Sequence, residues 1–90
     1  MLKAHVISLA RMFVISLMDA FNTRDQFWIS HYETRYVNLK KNIKVEVNKL
    51  LKSELKNIGE CNYDAETTAL FLDFMKRHNL LTCNDPKIGL

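Results

Sequence analysis

The residues of this 90-residue chain that could bind a metal ion lie far apart in the sequence. None of the three histidines, His5, His31 and His78, has a second histidine three or four positions away, the spacing that places two ligands on one face of a helix. The nearest group of ligand types is His78, Cys83 and Asp85, whereas a closed zinc site needs four ligands. We therefore predict no metal site.

Nucleophilic catalysis would have to use Cys61 or Cys83, and no catalytic motif surrounds either cysteine. A nucleophile needs a base and an orienting group in the same pocket, and the apolar stripes of the chain contain no paired carboxylates. Two glycines cannot build a glycine-rich phosphate-binding loop. We expect a protein that is not an enzyme and that has no cofactor.

The two cysteines also indicate a cellular compartment. A helix over residues 63–78 would separate them by about 24 Å, far more than the ~7 Å between Cα atoms that a disulfide allows. Two cysteines do not form the disulfide framework of a small secreted domain. The sequence therefore predicts a reducing, intracellular and cytoplasmic location.

Aromatic side chains are concentrated in the segment FWISHYETRY, residues 27–36. Trp28, Tyr32 and Tyr36 share one face of a helix, which predicts core positions, while Phe27 points to the opposite side and must be covered by another element or exposed. Trp and Tyr are also favoured anchors of protein interfaces. Aromatic rings beside Arg35 could alternatively stack on nucleic-acid bases.

Basic residues are concentrated between Arg35 and Lys56, where seven of them stand against Glu46 and Glu54. Four lysines fall within an arc of about 80° opposite the apolar stripe and cover about 22 Å of helix axis. Such a lysine row can follow a phosphate backbone, or it can be the solvated side of an amphipathic helix. Because Glu46 lies outside the arc, we expect no acidic residue to neutralise the row. The row consists of Lys41, Lys49, Lys52 and Lys56.

Composition predicts an all-α fold of one domain. The chain is 48% hydrophobic and 26% charged, as soluble globular proteins are, and it carries a formal charge of +3. Two glycines and one proline leave few turns, which favours a small number of long helices. We predict three helices with a long amphipathic middle helix, and a C-terminal tail over residues 81–90.

The first helix is predicted over residues 2–21, and its apolar side is broad. Met12 and Ile15 interrupt its polar side, where a second subunit could cover them. The segment resembles a membrane span, but Arg11 interrupts the apolar run and Asp19 lies near its end, so a soluble core or interface helix is favoured over a membrane-surface helix. The predicted apolar side comprises Leu2, Val6, Leu9, Ala10, Phe13, Leu17 and Phe21, widened by Ile7, Val14 and Met18.

The middle helix is predicted to begin after a sharp corner, because Thr23 and Gln26 have the spacing of a capping box. It is predicted to end at Gly59, which would be a left-handed C′ residue in a helical hairpin turn. A helix of about 34 residues would measure ~50 Å, so it must bend near residues 38–42 or be covered by a second chain. A strand at residues 43–47 is an alternative to helix in that segment. The apolar stripe of the predicted middle helix comprises Trp28, Tyr32, Tyr36, Leu39, Ile43, Val47, Leu50 and Ile58.

The third helix is predicted from an N-cap at Asn62 or Asp64 to about His78. Its predicted buried side comprises Leu70, Phe71, Phe74 and Met75, and its exposed side Glu66, Asp73 and Arg77.

The function that the sequence favours is a small non-enzymatic protein-interaction module, a regulator or inhibitor of a larger protein, which forms a homodimer. Its predicted interface comprises Met12, Ile15, Phe27, Trp28 and Tyr32. The first alternative is a nucleic-acid-binding helical protein that uses the lysine row, and the second is association of the N-terminal helix with a membrane surface.

Overall fold

The protein, seen in a computed structural model that describes residues 3–60 and 63–81, is all-α. In this part of the chain there are four helices, α1 (Lys3–Thr23), α2 (Gln26–Val37), α3 (Lys41–Gly59) and α4 (Ala65–Arg77). The backbone of α1 packs against each of the other three helices, most extensively against α3. The all-α prediction is confirmed, whereas the predicted count of three helices is wrong.

The long middle helix is interrupted at residues 38–40, which divide it into α2 and α3. Asn38 ends α2 with its side-chain Nδ2 donating to the Thr34 carbonyl, and Lys40 is extended at φ −62° and ψ 147°. The predicted bend near residues 38–42 is therefore present. It lets the chain fold back on α1, and the longest extent of the molecule is 39 Å. Residues 43–47 are helical, so the strand alternative is wrong.

The corner between α1 and α2 consists of two residues, Arg24 and Asp25. Arg24 adopts the left-handed conformation, with φ 57°, and the Asp25 N–H donates to the Ala20 carbonyl at 3.2 Å, the hydrogen bond that closes a Schellman motif. Asp25 is also the N-cap of α2, because its carboxylate accepts from the Trp28 N–H. The predicted corner is present, but the capping box is wrong, since Thr23 is the last residue of α1 and its hydroxyl donates to the backbone carbonyl of Asp19.

The connection between α3 and α4 differs from the prediction at its glycine. Gly59 is the last residue of α3 and has no positive φ, so it is not a left-handed C′ residue. Asp64 is the N-cap of α4, as predicted, and accepts from the Thr67 N–H at 2.8 Å. That hydrogen bond, with a further one from Arg24, lowers the pKa of Asp64 to about 2. Asn62 and both cysteines lie outside the described residues.

The end of α4 repeats the motif that ends α1. Asn79 has φ 57°, the Leu80 N–H donates to the Met75 carbonyl at 2.8 Å, and the Asn79 N–H donates to the Lys76 carbonyl at 3.2 Å. Asparagine tolerates the left-handed conformation better than most residues, which explains why α4 stops there. The metal candidates Cys83 and Asp85 lie beyond the described residues.

The core lies where α1 meets the other helices. Phe21 of α1 contacts the rings of Phe71 and Phe74 of α4, with centroids 6.3 Å and 5.8 Å away. Tyr36 of α2 packs on Phe74, and its hydroxyl, whose pKa burial raises, donates to Asn48 of α3 at 2.6 Å. The fully buried large side chains are Leu17, Phe21, Val47, Leu51, Thr67, Phe71, Phe74 and Met75.

The predicted apolar sides match α1 and α4 better than α2 and α3. In α1 all the described predicted core residues are buried except Ile7 and Leu9, which are half-buried, and in α4 only Leu70 is half-buried. In α2 the buried residues are Ile29 and Tyr36, and Trp28 is 44% exposed, so its assignment to the core is wrong. In α3 the buried residues are Val47, Leu51 and Leu55.

Within the described residues, α1 is long and apolar enough to cross a membrane, with a mean hydropathy of 1.5 over its most apolar 18-residue window. The burial of eight of its residues places its apolar side in the core.

Candidate protein-interaction face

Four aromatic rings on the first two turns of α2 form an aromatic cluster, which consists of Phe27, Trp28, His31 and Tyr32. The centroids of Phe27 and Trp28 are 5.2 Å apart with perpendicular ring planes, and His31 lies 5.2 Å from Trp28. Phe27 is 70% exposed. Tyr32 connects the cluster to the core through Phe13 of α1, whose ring is perpendicular at 5.9 Å. Trp28 and His31 contact Tyr32, and Phe27 contacts Trp28 and His31, so the cluster is connected to the core through Tyr32.

A groove runs between α1 and α2 beside the aromatic cluster. Its half near the corner lies between Ser16 and Asp19 of α1 and Trp28 and Tyr32 of α2. Its other half continues from Ser16 and Tyr32 to Met12 of α1, and further along to Arg35, Leu39 and Ile43. Because Ser16 and Tyr32 line both halves, the two concavities form one α1–α2 groove.

Opposite charges line the two halves of the groove. Asp19 lines the half near the corner and Arg35 the other half, and both are exposed. Among the ion pairs of the described residues, neither side chain takes part in one. Both charges are thus available to a molecule that enters the groove.

The structure brings together three of the five predicted interface residues. Met12, Trp28 and Tyr32 line the groove, with Met12 65% exposed. Phe27 adjoins them through Trp28 but faces a separate hollow next to Ser30 and Thr34.

Ile15, the fifth of these residues, is 69% exposed and lies toward α3, where Arg11, Leu50 and Glu54 surround it. The sequence pattern did not reveal the groove, because a groove depends on how two helices pack.

The lysine row is exposed along α3, as the helical arc predicted. Lys41, Lys49, Lys52 and Lys56 all face solvent. The expectation that no acidic residue neutralises the row is wrong, because the Lys49 ammonium pairs with the Glu46 carboxylate at 3.3 Å. The two residues are three positions apart on the helix, a spacing at which side chains meet even when their wheel angles differ.

His78 contacts an ion pair between α2 and α4 that the sequence did not reveal. Its Nε2 lies 2.7 Å from the Glu33 carboxylate, which also accepts two hydrogen bonds from Arg77. Arg77 also pairs with Asp73 one turn earlier on α4. The hydrogen bonds from Arg77, together with the contact to His78, lower the pKa of Glu33 despite its burial. This network joins α2 to α4.

Within residues 3–60 and 63–81, no three side chains of His, Cys, Asp and Glu are placed to hold a metal ion. Comparisons of the chain with protein-family models, curated proteins and solved structures found no significant match.

Proposed function

We propose that this protein is a small, non-enzymatic protein-interaction module that receives a helix of a partner protein against α1 and α2. The observation that carries the proposal is the exposed aromatic cluster beside an apolar groove. Phe27 is 70% and Trp28 44% exposed, although large aromatic rings are usually more buried in the folded state. Aromatic side chains that are rigidly held and partly exposed are the typical anchors of protein interfaces.

The spacing of the groove residues indicates the shape of its occupant. Along α1 the lining residues include Leu9, Met12 and Ser16, and along α2 they are Trp28, Tyr32 and Arg35. Both sets follow the three- and four-residue steps of one helix face, so a third helix can pack in the groove between α1 and α2. An amphipathic helix with apolar residues at positions i, i+3 or i+4, and i+7 has the spacing for such packing.

The charges of the groove indicate the orientation of that helix. An acidic residue of the partner would lie near Arg35, and a basic residue near Asp19. We propose that, by binding a helix of a larger protein in this way, the chain regulates or inhibits that protein. We place this activity inside the cell.

The experiment is selection of binders from a display library of 20-residue amphipathic peptides. Trp28 is the single tryptophan of the chain, so its fluorescence reports occupation of the groove. We expect selected peptides to carry the stated apolar spacing, to shift Trp28 emission to shorter wavelength, and to lose at least tenfold in affinity for Tyr32→Ala. Lys52→Ala, on the exposed side of α3, is the matched control and keeps the affinity. Selected peptides that bind wild type and Tyr32→Ala equally would contradict the proposal.

The second candidate function is nucleic-acid binding, which the four exposed lysines of the lysine row favour. Such a row can neutralise phosphates along a backbone. Attachment of α1 to a membrane surface is the third candidate. It has less support, because α1 would have to leave its contacts with the other helices in order to present its apolar side.

A further inference from the structure

A small pocket forms the half of the α1–α2 groove near the corner. Its volume is about 190 Å³, below the roughly 300 Å³ at which small-molecule sites usually begin, so it has room for one side chain rather than for a cofactor. One of its walls is aromatic, and the other carries hydroxyl groups and a carboxylate. This corner pocket comprises Ser16, Asp19, Ala20, Thr23, Trp28 and Tyr32.

The corner pocket is negatively charged. The Asp19 carboxylate is exposed and lies near the C-terminal end of α1, where the helix dipole is also negative. The last turn of α1 contains no basic residue that would offset these charges. The positive end of α2 is close by, but the Asp25 carboxylate caps it by accepting the Trp28 N–H. A cation that enters the pocket therefore meets a favourable field.

No basic side chain of the described residues pairs with the Asp19 carboxylate. Arg24 follows the pocket residue Thr23 directly, but its guanidinium pairs with two carboxylates at the start of α4, each at 3.1 Å. Arg35 lines the other half of the groove. The Asp19 carboxylate is thus open to a cation from another molecule.

The aromatic wall indicates which cation the pocket accepts. Trp28 and Tyr32 have ring centroids 5.8 Å apart and ring planes inclined by 31°, so the two ring faces have similar directions. A planar guanidinium can stack on such faces while its edge donates two hydrogen bonds to a carboxylate. The ammonium of lysine is compact and more strongly hydrated, and it has no planar edge. The wall therefore favours arginine over lysine.

The polar wall offers hydrogen-bond acceptors. The Thr23 hydroxyl uses its hydrogen on the backbone carbonyls of Asp19 and Ala20, at 3.0 Å and 3.3 Å, so its oxygen is left as an acceptor. The ionised Asp19 carboxylate is also an acceptor only. A guanidinium has N–H donors and no acceptor, so its hydrogen-bonding groups match those of this wall.

We propose that the corner pocket binds an arginine side chain of the partner helix, with its guanidinium on the Trp28 and Tyr32 rings and its edge on the Asp19 carboxylate. This inference rests on the proposed function and names the residue by which the partner is recognised. Trp28 and Arg35 are seven residues apart, about 10 Å along the α2 axis. An acidic residue of the partner helix that reaches Arg35 therefore lies about seven residues from the arginine.

The test is calorimetric titration of the tightest selected 20-residue peptide. We expect the selected peptides to share an arginine about seven residues from an acidic residue. Replacement of that arginine by citrulline, which has a similar shape and no charge, should weaken binding to wild type at least tenfold. Replacement by lysine should weaken binding several-fold, because the stacked planar edge is lost.

Asp19→Asn provides the matching change on the protein. It should weaken binding of the arginine peptide at least tenfold, but that of the citrulline peptide by less than about threefold, because both changes remove the same contact. Asp73→Asn is the control, since it neutralises an exposed carboxylate on α4 and should leave both affinities unaltered. Circular dichroism melts establish that both variants fold.

Two results would overturn the arginine pocket. In the first, Asp19→Asn binds the arginine peptide as tightly as wild type does. In the second, Asp19→Asn is folded and weakens the arginine and citrulline peptides equally, which would mean that Asp19 acts elsewhere than on the guanidinium.

The proposed function has a separate readout in Tyr32→Ala. Peptides that need Tyr32 but show neither a preference for arginine nor an effect of Asp19→Asn would keep the interaction module and refute the arginine pocket. A library that yields no binder, or only binders that Tyr32→Ala leaves unchanged, would contradict both.

Discussion

The carboxylate of Glu33 on α2 accepts two hydrogen bonds from the Arg77 guanidinium on α4, at 2.8 Å and 3.0 Å. This ion pair joins two helices whose backbones both pack mainly on α1. The Tyr36 and Phe74 rings lie beside it, each within 5 Å of the His78 ring centroid. The bidentate ion pair thus links α2, which carries the aromatic cluster, to α4.

Glu33→Gln tests this connection. The pKa of Glu33 is lowered from its ordinary value of 4.5, so its carboxylate stabilises the fold above that pH, and the contribution is lost as pH falls through the lower folded value. We expect a loss of about 1 kcal/mol at neutral pH, a modest figure because Arg77 is 41% exposed and solvent screens the pair. Urea melts should show the difference from wild type shrinking below about pH 4.

The control is Asp73→Asn, which removes the other carboxylate near Arg77. Asp73 is 64% exposed and lies on the same helix as Arg77, so its removal should change stability less than that of Glu33. A constant Glu33→Gln difference from pH 7 to pH 3 would contradict the assignment of the ion pair.

The division of the middle helix shows what apolar periodicity can and cannot predict. The stripe from Tyr36 through Leu39 and Ile43 to Val47 keeps its three- and four-residue steps across residues 38–40, so the pattern does not register the break. Only the length of the predicted middle helix, which is greater than the size of a 90-residue domain, indicates a bend. Asn38 ends α2 because its side chain bonds the backbone locally, an ability that competes with helix continuation.

The corner provides a second prediction, since Asp25 and not Thr23 caps α2. Asp25→Ala should cost about 1 kcal/mol, because the Trp28 N–H loses its acceptor. Thr23→Ala should change stability by less than about 0.5 kcal/mol, as the Thr23 hydroxyl donates only to carbonyls of its own helix. Equal losses for the two variants in urea melts would mean that the cap is wrongly assigned.

The left-handed backbone of Arg24 provides a third prediction. Arg24→Val and Arg24→Gly both remove its ion pairs with Asp64 and Glu66, so their difference isolates the backbone conformation. Arg24→Val should be less stable than Arg24→Gly by about 1–2 kcal/mol, since a β-branched residue resists positive φ. Chemical denaturation that finds the two variants equally stable would place Arg24 outside the left-handed region.

The helical conformation of Gly59 leads to the opposite expectation for a substitution there. Gly59→Ala should stabilise the protein by about 0.4–1 kcal/mol, because alanine has fewer conformations to lose on folding and fits a helical backbone. Destabilisation by this change, measured in the same urea melts, would restore the left-handed C′ interpretation.

The sequence predicts which side chains of the candidate interaction face are exposed better than it predicts the shape of that face. Met12 and Ile15 interrupt the polar side of α1, and both are exposed. The stripe that Trp28 shares with Tyr36 predicts a core position for Trp28, but α2 is rotated so that Ile29 is buried instead. The Glu33–Arg77 pair and the Tyr36 contacts accompany this rotation, and they join residues distant in sequence, which an apolar pattern along one helix does not reveal.

The last prediction concerns the lysine row and separates the two leading functions. If the row bound nucleic acid, its four lysines would each neutralise about one phosphate, and the logarithm of the affinity would fall with the logarithm of salt concentration with a slope near −3 to −4. Lys49 is already paired with Glu46, which reduces the charge available for phosphates. We therefore expect no measurable binding to single-stranded or duplex nucleic acid near physiological salt, as for the solvated side of an amphipathic helix.

Fluorescence anisotropy across a salt series measures this, with a variant in which Lys41, Lys49, Lys52 and Lys56 are all changed to Glu. All four side chains are exposed, so the variant should fold and keep its peptide binding at the groove. A tight, salt-dependent complex in wild type that the variant loses would contradict our expectation. The groove residues Trp28 and Tyr32 are the same in both proteins, so such a loss would come from the lysine row and not from the groove. Nucleic-acid binding would then be the leading function.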